Sequence, residues 1–531
     1  MDTIRKIFAA KPKADPFAVL NYDCASIVLE HLGLWDLGNA QHVSSAWNEL
    51  VQDWIASEGL HQHFPEAWSK EAAKPGWNRR GRTPQQRQEI VRLFNKLAIK
   101  KVADEAWKAG QPAWVTECIG DGQDTYAHGG PTAAGDYLAW ADGESVFWKR
   151  AGYRLDENGI RAPYPAGKVD VKLDPKSSVE PFLRLHARGF LYLSHYTDED
   201  TDHPRLWIRM FELETEKELW CKRLKPHSQP WFNNTFGLVA MGWDRMYCYS
   251  SSGKDLQVHD LRTCALLYKL RSFTPHHLAH GNGSARVWRL RGRDILVLVT
   301  AEINVRIIDA EDGRAIQTIR VAGEHRPRIV VSNRPGELAF AILGRASNAL
   351  GQITDIPTSR PFQYNSATGK FVEGATQRLN FSALSIAGSH ETVSYDPFRG
   401  IAAVVSPHKA AIRLIRFAPL GSPGADSPVV YATRPVSFKK GQAEILRRSI
   451  GQPYVSMASV DHGVGGLNFG GGIKFGASGN RLYVFCVGDF SGKCGPKKDP
   501  VCVLEFGPRG ACDWPLQSGD EDSLHAPDRV D

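Results

Sequence analysis

Four stretches of this 531-residue chain repeat one pattern: LWIRMFELETEKELWCKRL (206–224), LQVHDLRTCALLYKL (256–270), NVRIIDAEDGRAIQTIRV (304–321) and RPFQYNSATGKFVEGAT (360–376). Each reads as a strand, a turn of the Glu-Thr-Glu or Glu-Asp-Gly sort, and a returning strand. The turns fall near 215, 262, 312 and 368, so the unit recurs about every 48 to 56 residues. A lone hairpin is marginal in water, but a recurring one can bury its apolar face on its neighbours. The repeat therefore constrains everything after about Trp114 to one strand-rich architecture, and no helical periodicity of useful length returns there.

Weaker copies lie at Tyr153 to Pro163, where Asp156-Glu157-Asn158-Gly159 supplies the turn, at Ile412 to Thr433, and at Leu482 to Phe506. Counting them gives seven units between about 120 and 508. A period of this length matches one four-stranded propeller blade with its loops. The expected fold class is multidomain α + all-β, with a seven-bladed β-propeller over 114–514, six or eight blades remaining open, and a polar, disordered tail over 515–531. In period and pattern the units resemble WD-repeat and quinoprotein-type propellers. They lack the Gly-His and Trp-Asp signatures.

The first sixty residues are of another kind. Ala25, Val28, Leu29 and Leu32 form one apolar stripe on a helix from Asn21, which is placed to cap it, to about Leu32, with Asp23 at its positive end and Gly33 as its stop. A short helix follows from Asp36 to Gln41. Val43 to Leu60 then carries Val43, Trp47, Leu50, Val51, Trp54 and Ile55 at helical spacing. About forty residues cannot bury that much apolar surface alone, so the segment needs a partner.

These residues resemble the F-box family. Leu20 stands at the start of its pattern, Val28, Leu29 and Leu32 fill the first helix, Asp36 and Leu37 match the Asp-Leu pair, and Val43, Trp47 and Leu50 match the Val-x-x-x-Trp-x-x-Leu end. Asn21 stands where the family has Pro, and Asp23 replaces Glu. The resemblance implies a helical bundle over 18–68 that docks on the small adaptor of a cullin-RING (SCF-type) ubiquitin ligase, and through it on the cullin and RING subunits. Leu20, Val28, Leu29, Leu32, Leu37, Val43, Trp47 and Leu50 would form the bundle and its docking face. The propeller would then hold an unidentified substrate protein, with Trp231, Trp243, Arg326 and Arg328 as candidate loop contacts. Two alternatives stay open: a propeller interaction scaffold capped by the bundle and unconnected with ubiquitination, and, remotely, a quinoprotein-type oxidoreductase.

Residues 1–17 read as a basic, flexible tail, and 69–113 as a basic linker and helical spacer. In the latter, Thr83-Pro84 opens a helix reaching about Gly110 with a stripe of Ile90, Leu93, Phe94, Leu97, Ala98 and Val102. The nine cysteines are odd in number and without a Cys-x-x-Cys pair, which points to reduced thiols in the cytoplasm or nucleus. The intervals between Cys486, Cys494, Cys502 and Cys512 suit neighbouring strands better than zinc. The basic run Lys70 to Arg92 suits acidic protein partners or a solvated face at least as well as nucleic acid. His276, His277 and His280 fall in an expected loop, GVGGLNFGGG (463–472) lacks the P-loop ending, and Asp309 and Asp312 read as turn residues. No run of eighteen apolar residues suggests a membrane span. With no catalytic set, cofactor or metal in view, the expected role is a non-catalytic receptor.

Overall fold

The computed structural model describes residues 15–74, 83–118, 132–142, 144–151, 153–155, 161–164, 166–173, 181–197, 205–224, 238–249, 255–271, 285–290, 293–300, 304–321, 324–332, 338–347, 353–378, 392–406, 411–421, 432–436, 468–469, 473–475, 481–485 and 501–506. They fall into two compact units, one helical at the N-terminus and one made of strands.

The helical unit runs α1 (Pro16–Val19), α2 (Tyr22–Glu30), α3 (Leu34–Ala40), α4 (Ser45–Trp54), a π-helical turn at Ile55–Gly59, α5 (Leu60–His63), α6 (Pro65–Ala72) and α7 (Pro84–Ala109). Its ends follow from local chemistry. Asn21 Oδ1 accepts the Cys24 N–H at 2.9 Å, and Ser44 Oγ accepts that of Trp47 at 3.2 Å. Thr83 and Gln86 cap each other at 3.0 and 3.2 Å, a reciprocal box at the start of α7. Gly110, at φ 66°, ends that helix in the left-handed conformation glycine tolerates.

Three expectations change here. The helix read as continuous over 43–60 widens into a π turn at 55–59, where a Cβ on Gly59 would stand 2.7 Å from the Trp54 ring. The helix read as a spacer is part of the bundle: Ile90, Val91, Phe94 and Ala98 share one core with Leu29, Leu37, Val51, Trp54, Ile55 and Leu60. Its wide apolar stripe needed a cover, and the short helices supply it. Asp15 and Phe17, assigned to a flexible tail, are anchored on Trp47. The Trp47 indole N–H donates to both Asp15 carboxylate oxygens at 2.9 Å, and the Phe17 ring meets it edge-on at 4.4 Å.

The strand unit is β-propeller-like. Among the described residues it holds seven sheets of four or more strands, numbered here in chain order. Sheet 1 is Thr132–Ala134, Tyr137–Asp142, Ser145–Arg150 and Ala166–Asp170. Sheet 2 is Phe182–Leu185, Phe190–Thr197, Arg205–Glu212 and Lys217–Leu224. Sheet 3 is Leu238–Met241, Arg245–Tyr249, Asp255–Asp260 and Leu266–Arg271. Sheet 4 is Ala285–Leu290, Arg293–Val299, Asn304–Asp309 and Ala315–Arg320. Sheet 5 is Glu324–Val331, Ala339–Ser347, Ile353–Asn365 and Lys370–Glu373, with Gln377–Arg378 added beside Ile353–Asn365. Sheet 6 is Thr392–Asp396, Ile401–Ser406, Ala411–Arg416 and Ala432–Pro435, with Asn468–Phe469 pairing in parallel against Thr392–Val393. Sheet 7 joins Ile473–Phe475, Arg481–Phe485 and Val501–Glu505 to the early strand Trp114–Cys118, which runs antiparallel to Val501–Glu505 from Trp114↔Glu505 to Cys118↔Val501. That pairing joins an early strand to the last ones, so both ends of the strand-rich region contribute to sheet 7.

Successive sheets pack face to face through separate cores. One core joins sheets 1 and 2 through Val146, Trp148, Leu183 and Leu191, another sheets 2 and 3 through Tyr192, Met210, Met246 and Cys248. Further cores join sheets 3 to 4, 4 to 5 and 5 to 6. The first strands of sheets 6 and 7 adjoin, and Tyr483 and Val503 of sheet 7 pack on Leu138 and Trp140 of sheet 1. The four strong sequence repeats are the third and fourth strands of sheets 2 to 5.

The weak copy at Tyr153 to Pro163 is no part of a sheet of this kind. Tyr153–Leu155 and Arg161–Pro163 pair only with each other, inserted between the third and fourth strands of sheet 1, and group with the helical unit. Alternation makes any hairpin look alike; only the pairing of its neighbours separates an insertion from a repeat.

Candidate functional site

The eight positions that carry the F-box resemblance separate by burial. Leu29 and Leu37 are completely buried, Leu32, Trp47 and Leu50 pack partly buried against the same core, and Leu20, Val28 and Val43 stand in solvent. On α2 the buried Ala25 and Leu29 define the inner face. Cys24, Ile27 and Val28, at i, i+3 and i+4, share an outer one, and all three are exposed. Val19 at 72% exposure, Ile27 at 57%, Val43 at 58% and Tyr22 at 46% complete a group of large apolar side chains without cover. Tyr22 alone is tied down, its hydroxyl 3.3 Å from Ser57 Oγ.

Val19, Tyr22 and Ile27 lie outside the stripe of Ala25, Val28, Leu29 and Leu32 by which the sequence marks the helix. The signal was present: an isoleucine opposite an apolar stripe has no core to enter. Burying a large aliphatic side chain fully is worth about 1.5–3 kcal/mol, so six half-exposed groups would supply on the order of 6 kcal/mol. That only reaches the low end of the roughly 4–15 kcal/mol that association costs.

In the strand unit the turns joining first to second and third to fourth strands carry a belt of polar links between sheets. Arg481 of sheet 7 is buried, its Nη1 2.8 Å from Asp136 Oδ1 of sheet 1 and its Nε 3.4 Å from Glu505. Tyr137 and Arg150 of sheet 1 both donate to Glu214 of sheet 2. Arg245 of sheet 3 donates to the Ala310 carbonyl at 2.8 Å and the Glu311 carboxylate at 2.6 Å in sheet 4.

The third-to-fourth-strand turns themselves repeat. Asp260 Oδ1 accepts the N–H groups of Arg262 and Thr263, as Asn365 Oδ1 accepts those of Ala367 and Thr368. The chain then enters the left-handed region at Glu216, Cys264, Gly313 and Gly369, one position per turn. Asp309 Oδ1 accepts the Glu311 N–H and Asp312 Oδ1 that of Arg314, so both aspartates serve their turn.

Of the candidate substrate contacts, Trp243 belongs to this belt. Its N–H donates to Asp294 Oδ2 at 3.1 Å, its carbonyl accepts Arg188 Nη1 at 3.2 Å, and the Arg188 guanidinium lies 4.4 Å from its ring. These contacts link sheets 2, 3 and 4. Arg326 and Arg328, expected in a loop, lie in the first strand of sheet 5, where the ladder slips between His325 and Arg328. A bulge admits an extra residue that turn-seeking reads as loop. Trp231 and the histidines of HHLAH fall outside the described residues. So do most of the glycine-rich 463–472 and Cys486, Cys494 and Cys512. Among the described residues no group of three His, Cys, Asp or Glu is placed to hold a metal, and no helix is long and apolar enough to cross a membrane.

No protein-family model matches the chain, and neither does any curated protein. Among solved structures, the RRP9 WD40 repeats align at 12% identity over 74% of this chain and 99% of theirs, with a TM-score of 0.37. The β-propeller domain of Myceliophteria thermophila Cps50 (Swd1) aligns at 11% over 73% and 98%, TM-score 0.36. Hydrazine synthase of Kuenenia stuttgartiensis aligns at 14% over 72% and 96%, TM-score 0.37. At such scores these likenesses add nothing to what the strand pairings establish.

Proposed function

We propose that the chain is a non-catalytic substrate receptor of an SCF-type ubiquitin ligase, acting in the cytoplasm or nucleus. The helical unit docks on the small adaptor, and the strand unit, as a seven-bladed propeller, holds a substrate protein. The observation that supports the docking is the division of the F-box positions: Leu29 and Leu37 make the core while Leu20, Val28 and Val43 remain uncovered beside Val19 and Ile27. The mechanism is proximity, since a substrate lysine held within reach of a charged conjugating enzyme is at high effective concentration.

A second reading treats the helical unit as a structural cap on an interaction scaffold. In it the propeller alone would bind partners, and the helical unit would play no part in ubiquitination. Adaptor capture separates the two. The double variant Val28→Asp with Val43→Asp changes only exposed positions, so the chain should fold as before and lose adaptor co-purification at least tenfold. Unchanged capture from this soluble, folded variant would refute docking and leave the scaffold.

A further inference from the structure

We propose that Arg184 is the recognition group of an anion site in the interface between sheets 2 and 3, suited to a single oxyanion of the carboxylate or phosphate class. The first strand of sheet 2, Phe182–Leu185, alternates: Leu183 and Leu185 enter the core shared with sheet 1, while Phe182 packs in the core shared with sheet 3. Arg184 lies on the side of Phe182, opposite its ladder partner Tyr192, which belongs to that same core. The same core also holds Phe190, Met210, Met246 and Cys248.

Nη1 of Arg184 is buried and makes no hydrogen bond. Burial lowers the pKa of the guanidinium to about 10, which still leaves it charged at neutral pH. Among the described residues the titratable groups of this core offer no countercharge: burial pushes the Tyr192 phenol and the Cys248 and Cys264 thiols up, so all three stay protonated. Four other partly buried arginines of the strand unit are matched, Arg209 with Glu218, Arg245 with Glu311, Arg360 with Glu373 and Arg481 with Asp136. A buried cation without a countercharge is strongly unfavourable, and a guanidinium presents the planar fork that oxyanions fit. The residue as a whole keeps some accessible surface. The inference is independent of adaptor docking, because its readout is the stability of the chain itself.

The test is thermal unfolding of the full chain titrated with sodium phosphate and, separately, sodium acetate at constant ionic strength. Wild type should show a saturable rise in melting temperature of roughly 2–4 °C with at least one of them. Phosphate alone assigns the phosphate class; acetate assigns a carboxylate. Arg184→Met should show no saturable rise and, in anion-free buffer, should melt at or above wild type, since an apolar side chain removes the unpaired charge. Arg223→Met, an exposed arginine on the outer strand of sheet 2, reports the general salt effect and should follow wild type. Equal responses from wild type and Arg184→Met, or a marked loss of stability of Arg184→Met without anion, would overturn the proposal.

Discussion

In the helical unit six large apolar side chains stand in solvent between Val19 and Val43, whereas the strand unit shows three among its described residues, Leu266, Leu267 and Val372. The strand unit covers its apolar faces internally, sheet against sheet, and ties the rims with charged links. The helical unit completes its core with α7 and still leaves apolar surface over. The difference teaches where each unit spends its surface: one covers its apolar faces by its own closure, and the other leaves a group of large apolar side chains exposed.

The closure is where the comparison can be broken hardest. Arg481 is 2% exposed and holds Asp136 and Glu505 across the junction of sheets 7 and 1. Arg481→Ala leaves two carboxylates facing each other with little solvent, a loss of about 3–5 kcal/mol. The expected outcome is a large drop in the denaturant midpoint of the strand unit, with the helical unit's transition unmoved if the two unfold separately. A change below about 1 kcal/mol would mean that strand pairing alone closes the array.

Adjacent residues of α2 sharpen the other side. Leu29→Ala empties a fully buried position and should cost about 2–5 kcal/mol, while Val28→Ala should stay within about 0.5 kcal/mol. Urea unfolding followed by tryptophan fluorescence, with Trp47 and Trp54 as reporters in the helical unit, measures both. Comparable losses would mean that Val28 is covered in solution, contrary to its exposure here.

How far these assignments could be read beforehand depends on how local their causes are. Asn21, Thr83 with Gln86, and the turns at 260 and 309 are fixed by side chains two or three residues from the backbone groups they satisfy, so the sequence displays them. The stripe on α7 was equally visible, but its partner was not, because Trp54 and Phe94 meet across forty residues. The insertion at 153–163, the parallel strand at 468–469 and the isolation of Arg184 depend on which strands become neighbours. Periodicity of two is silent on that. The links of Trp243 to Arg188 and Asp294 are hidden for a related reason, because they come from neighbouring sheets.

The smallest expected effect is one of pH. His63, at the end of α5, has its ring 5.8 Å from that of Phe94 and 6.1 Å from that of Trp54, and its Nε2 is buried without a hydrogen bond. Burial first, and the charge of Lys101 on α7 second, lower its pKa from the ordinary 6.5. Above pH 6.5 the imidazole is neutral in both folded and unfolded chains, and it takes nothing from stability. As the pH falls below 6.5 the unfolded chain binds a proton that the folded helical unit resists, so stability declines until the pH reaches the lowered folded value. His63→Gln should flatten this decline between pH 7 and 5 in the helical transition while leaving that of the strand unit unaltered. If both transitions of wild type and variant keep the same slope, the titrating group lies elsewhere. The one coupling of charge to the bundle core that Lys101 and His63 suggest would then be absent.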